Sequence, residues 1–186
     1  MAYLLDTNVF IAAKNLHYGF DICPGFWDWL DQGGRTGIVR SVDAVYQELM
    51  GQGDDLAQWA RDHRQMFSAP TTADIAAVSA VNRWATEATE YNEGAKADFA
   101  AAADSFLIGH ARAGGHSVVT HEVPGSKRTR IKIPNAAAAA GVQVLSPFAM
   151  LRIERARFEL RTQGQQLALP MTDVDGPTEM GSRVDE

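Results

Sequence analysis

Short apolar runs alternating with amphipathic helical segments constrain this chain more than any other feature. "YLL" at 3–5, "TGIVRS" at 36–41, "SVVT" at 117–120 and "VQVL" at 142–145 are too short for helices, and each carries two or three Val, Ile or Leu residues. Such runs read as strands buried on both faces. Strands separated by helices predict an α/β fold, a three-layer α/β/α sandwich around a central, mostly parallel sheet.

The helices announce themselves by punctuation and spacing. After the first strand, Val9, Phe10, Ala12 and Ala13 form a helical apolar face. "PGFWDWLDQGG" starts at Pro24 and is expected to stop at Gly33-Gly34. Ser41 is placed to cap "VDAVYQELMG", whose Val42, Val45, Tyr46 and Leu49 share a face. Further helices are expected over 54–67, over 74–91 with Ile75, Val78, Val81 and Trp84 inward, and as one run from Asp98 to Gly114-Gly115. "IPNAAAAAG" gives a short helix, and "PFAMLRIERARFELR" a last one over 147–161. Residues 1–163 then make one domain, and 164–186, poor in large apolar side chains and carrying Pro170, Gly176 and Pro177, are expected to be a flexible tail.

Composition narrows the function classes. A 46% hydrophobic, 22% charged chain is ordinary for a globular protein, and no apolar run approaches the length of a membrane span. Its single cysteine, Cys23, supplies neither an internal disulfide nor a Cys-rich zinc cluster, and the chain opens directly on the first strand; both predict a cytoplasmic protein. A net charge of −6 argues against a binder that holds nucleic acid by bulk positive charge.

Chemistry enters through the acids. Asp6 stands at the carboxyl end of the first strand, where open α/β sheets place their ligands, although on this segment alone a cap on the following helix, by Asp6 or Thr7, is the favoured reading. Glu48 borders an apolar helix face, as a site acid or as a solvated boundary residue. Asp104 shares the stripe of Leu107, Ile108 and Ala111, an inward-packing face on which an acid marks a site. Asp98 reads mainly as a helix-start charge with an auxiliary role. Glu122 follows the third strand. Four carboxylates without thiolates favour Mg²⁺ or Mn²⁺.

"GSKRTRIKIP" gathers Lys127, Arg128, Arg130 and Lys132, which fit phosphates flanking a cut site or, equally, a solvated edge. Lys14 is a further substrate candidate. Of the histidines, His110 and His116 read as capping or surface residues, and His121, beside Glu122, is the one placed for a role.

"LLDTNVFI", "VYQEL", "ADSFLIGHA" and "VVTHE", in that order, resemble the PIN domain family of metal-dependent ribonucleases, and within it the branch related to VapC-type toxins; the resemblance covers residues 2–152. It implies a carboxylate site at the C-terminal edge of the sheet. Asp6, Glu48 and Asp104 match the family's core acids, and Thr7 and Asn8 its polar pair that orients water or phosphate. Where the family often has an aspartate, this chain has His121-Glu122. The resemblance further implies cleavage of RNA with a 5′ phosphate on the product, an antitoxin protein that blocks the acidic groove, and a homodimer, for which "FWDWL" is either an interface or core. Two rivals stand beside it. A haloacid-dehalogenase-type phosphohydrolase needs a second acid where Asn8 stands; a non-catalytic PIN-like module would bind RNA or protein without cutting.

Overall fold

The computed structural model describes residues 1–159. Strand β1 (Tyr3–Leu5) leads into helix α1 (Thr7–Ala12) and a π-helical turn (Ala13–His17), followed by α2 (Pro24–Thr36), β2 (Val39–Val42), α3 (Asp43–Met50) and α4 (Asp55–Asp62). Then come β3 (Phe67–Ser68), α5 (Thr72–Glu87), α6 (Glu93–Ala101), α7 (Ala103–Gly114), β4 (Ser117–Val119), α8 (Ile133–Ala140), β5 (Val144–Leu145) and α9 (Pro147–Ile153). The five strands lie in the order β3-β2-β1-β4-β5, and every pair is parallel.

This is the expected α/β/α sandwich. Consecutive Leu4 and Leu5 are 3% and 0% exposed, so helices cover both faces of the central strand. Leu4 pairs with Arg40 on one side and Val118 on the other. From β1 the chain winds outward through β2 to β3, then returns to the opposite side of β1 for β4 and β5. The winding therefore reverses between β1 and β4, and a crevice beyond those two carboxyl ends is where such sheets bind ligands.

Several boundaries differ from the sequence reading, each for a local reason. Residues 54–67 are not one helix: α4 ends at Asp62, and Phe67-Ser68 form a fifth strand on β2, too short to show any periodicity. Gly33 and Gly34 do not stop α2, which runs to Thr36 and ends on a left-handed Gly37; a Cβ on Gly34 would lie 2.8 Å from the Met66 sulfur, so the glycine serves close packing. Ser41 does not cap α3; Val42 is its N-cap, and the Ser41 hydroxyl donates to the Leu5 carbonyl at 2.6 Å. Ile75 faces outward on α5, whose Val78, Val81 and Ala85 are buried. Asp74 and Thr71 cap that helix reciprocally.

α9 stops eight residues early. Arg155 adopts a left-handed φ of 53°, and the amides of Arg155 and Ala156 bond back to the carbonyls of Arg152 and Leu151, a Schellman turn without its usual glycine. Phe26 and Trp27 of "FWDWL" are buried, with Tyr18 stacked on Phe26 at 4.2 Å, which assigns that segment's aromatic face to the core instead of an interface. The expected tail, 164–186, lies outside the described residues. No described helix is long and apolar enough to cross a membrane.

Candidate active site

Two strand ends and two helix starts converge at the switch point. Asp6 follows β1 and is almost fully buried; its amide donates to Val119 on β4 at 3.0 Å, and its carboxylate accepts the Thr120 hydroxyl at 2.8 Å. It occupies the N-cap position of α1 without a side-chain cap bond, so its carboxylate is committed to the crevice. Burial pushes its pKa up to about 6, with the charges of Glu122 and Glu48 adding to the rise and the Thr120 bond opposing it.

Glu48, near the end of α3, joins the starts of two other helices. Its carboxylate accepts the Thr7 hydroxyl from α1 and, at 3.2 Å, the Ala103 amide from α7. That second bond exists because the expected 98–114 helix is broken at Ala102, whose extended backbone ends α6 and begins α7 anew. The break frees the Ala103 amide and places Asp104 in the first turn of α7. Burial pushes Asp104 up to about 7, with Asp6, Glu122 and Glu48 raising it and Arg130 lowering it. Asp104 thus feels the charge of each of the other three acids, and Asp6 that of Glu122 and Glu48.

Glu122 reaches the site from the loop after β4. Its amide donates to the Thr120 hydroxyl at 3.1 Å, and its carboxylate accepts from Arg130 at 2.6 Å and from the Ile133 amide at 2.9 Å. Asp98 does not start a helix; it stands exposed in the last turns of α6, where with Asp104, Thr129 and Arg130 it lines a cleft of about 270 Å³. Asn8 is exposed beside the crevice, in a groove shared with His17 and His121. Burial and the neighbouring His17 hold the His121 imidazole below its usual range.

The remaining basic candidates separate. Lys14 is bound to Asp54, the N-cap of α4. Lys127, Arg128 and Arg130 are exposed while Ile131 and Ile133 are buried, so the loop turns its charges outward by alternation although it forms no strand. Arg128 reaches the Thr89 carbonyl, and Lys132 is the N-cap residue of α8. His110 is neither a cap nor a surface residue: it is buried on α7, its ring 3.6 Å from Asp74 of α5. Thr120, which orients Asp6, escaped the sequence reading although it ends its strand run just as Asp6 does.

Whether these residues suit a cation follows from their donors. Asp6, Glu48 and Asp104 are hard oxygen ligands, bonded at most to neutral groups, and none has an ion-pair partner among the described residues. Repulsion among uncompensated carboxylates is what a divalent cation would relieve. As the side chains lie, no three Asp, Glu, His or Cys groups among the described residues are close enough to enclose a metal ion, so a cation would draw the acids inward.

No curated protein and no solved structure matches the chain. A family model described as a domain of unknown function, DUF4411, matches residues 3–158. That span takes in all five strands and all four acids of the crevice, and the chain belongs to the DUF4411 family.

Proposed function

We propose that this protein is a metal-dependent endoribonuclease that hydrolyses single-stranded or structured RNA at the crevice between β1 and β4. One observation carries the reading: almost fully buried Asp6 and half-buried Asp104 come from distant parts of the chain to one crevice, and neither has an ion-pair partner among the described residues. Structural carboxylates withdrawn from water are normally matched by a cation; leaving two without a counter-charge is costly unless a ligand takes them.

Asp6, Glu48 and Asp104 would hold Mg²⁺ or Mn²⁺. Bound there, the cation would supply an electrophile that activates water and offsets phosphodiester charge. Thr120 holds the Asp6 carboxylate, while Thr7 and the Ala103 amide hold Glu48, so two of the three ligands are restrained before a cation draws the set together. Exposed Asn8 and the basic loop offer polar and cationic contacts to the backbone on either side of the acids, and His121 stands at the edge of the groove.

By its resemblance, we place the protein in the cytoplasm as the toxin of a type II toxin-antitoxin pair. Exposed Leu16, in the groove with Asn8, and exposed Val123, next to Glu122 in the chain, would offer an antitoxin apolar contacts. A homodimer belongs to the same proposal. The second reading, a non-catalytic RNA- or protein-binding module, draws support from the absence of a preassembled three-ligand cage among the described residues.

Incubating a 3′-labelled single-stranded RNA with the protein in Mg²⁺, Mn²⁺ or EDTA separates the two. The ribonuclease reading expects cutting in either metal, none in EDTA, and products with 5′ phosphates. RNA retained by the protein but left intact in every condition favours the binding module.

A further inference from the structure

Among the four acids, Glu122 alone has its charge matched. Arg130 donates to its Oε1 at 2.6 Å, and its Oε2 accepts the Ile133 amide at 2.9 Å. Asp6 and Glu48 have only hydroxyl and amide partners, and Asp104 has no ion-pair partner among the described residues. A carboxylate neutralised by a guanidinium draws a divalent cation weakly. Swinging Glu122 onto a cation would also strand Arg130 and an amide at the start of α8.

The pair is asymmetric in a way that assigns its two ends different work. The Glu122 side chain is 10% exposed and that of Arg130 is 60% exposed. Ile131, immediately after Arg130, is buried and pins the loop, so the arginine must project outward. It projects over the acids: Arg130 lines the 270 Å³ cleft with Asp98, Thr129 and Asp104, and its charge is felt by Asp104. A guanidinium held by its carboxylate at one edge still presents free N–H donors at the other, in the planar fork that suits a phosphate.

We infer that Glu122 is a positioning residue and not a metal ligand, and that the Arg130 it holds contacts an RNA phosphate next to the scissile bond. The inference rests on the ribonuclease reading. It divides the acids three to one, with Asp6, Glu48 and Asp104 for the cation and Glu122 for the substrate arginine.

Calorimetric Mn²⁺ titration and steady-state RNA cleavage of wild type, E122Q, R130M and the double variant test this division. E122Q keeps a carbonyl acceptor for the Ile133 amide while losing the charge that holds Arg130. Expected are Mn²⁺ affinities within about threefold of wild type in every variant, and KM for RNA raised about tenfold in each single variant, the size of one lost charge-assisted contact. Changes in kcat should be smaller, and the double variant no worse than either single, because one contact is being removed twice. Loss of Mn²⁺ affinity by tenfold or more in E122Q alone would make Glu122 a ligand and overturn the inference while leaving the ribonuclease reading intact. Wild-type protein that neither binds Mn²⁺ nor cuts RNA would overturn both. Should E122Q fail to fold, R130M and R130K decide: a KM raised in R130M and partly restored in R130K supports the inference, and an unchanged KM in R130M overturns it.

Discussion

Crowded like charges, one buried and one half-buried, make Asp6 and Asp104 the residues at which folding and the proposed function pull in opposite directions. Both carboxyls ionise well above their ordinary 3.8, near 6 and 7. Between about pH 4 and 7 the native state therefore binds more protons than the unfolded chain, and metal-free stability falls as pH rises through that window. Asp104→Asn removes one of the repelling charges, so at pH 8 without metal it should melt about 3 °C or more above wild type, with the gap closing by pH 4 in scanning calorimetry. Cation binding must displace the same protons: Mn²⁺ uptake at pH 6 should release protons, seen as a dependence of binding heat on buffer ionisation enthalpy, and that dependence should fade by pH 8.5. At this scale the sequence was legible where position alone speaks. Asp104 stands out as an acid on an apolar stripe, whereas Asp6 ends an apolar run where a helix cap reads as well as a site acid, and only the alternation of strands and helices favours the site. The Glu122–Arg130 pair depends on how a loop closes onto α8, which no local pattern encodes.

The elements that aim these side chains are α3 and α7, and α7 is held by α5. Gly109 of α7 packs directly on the α5 backbone: a Cβ there would stand 2.8 Å from the Val78 amide nitrogen and 2.9 Å from its Cα, atoms that cannot yield without moving α5. Gly109→Ala should cost about 1–3 kcal/mol in urea denaturation, as overpacked cores do. Because α7 carries Asp104, cleavage should fall as well. A neutral result in both assays would mean that the helices separate without disturbing the crevice. Helix existence was readable from spacing along most of the chain, including the glycine stops at Gly115 and Gly141. The break at Ala102 was not, since it interrupts a run of alanines with neither glycine nor proline to mark it, yet it creates the amide that Glu48 binds. The arginine in the left-handed turn after α9 was unreadable for the same reason.

Across the whole molecule, a reversal of winding between β1 and β4 gathers acids from residues 6, 48, 104 and 122 at one edge of the sheet. Fold class was legible because strand–helix alternation nearly dictates a parallel sheet, and with it the sheet edge at which the candidate site was expected; the fifth strand, two residues long, was not. If the proposed ribonuclease reading holds, a molecule of net charge −6 meeting RNA through one short basic loop should bind it with shallow salt dependence. For single strands the slope of log K against log salt is about −0.7 per phosphate contacted, so about −1 to −3 is expected from filter binding in Ca²⁺, and a much steeper slope would indicate a larger basic surface. Most direct for the account is cleavage of one labelled single-stranded RNA in Mn²⁺ by wild type, Asp6→Asn and Asp104→Asn, prepared identically and checked for folding. Cutting by wild type that falls by 100-fold or more in both variants is the predicted result. Equal cutting by all three would place the activity outside this crevice and contradict the account.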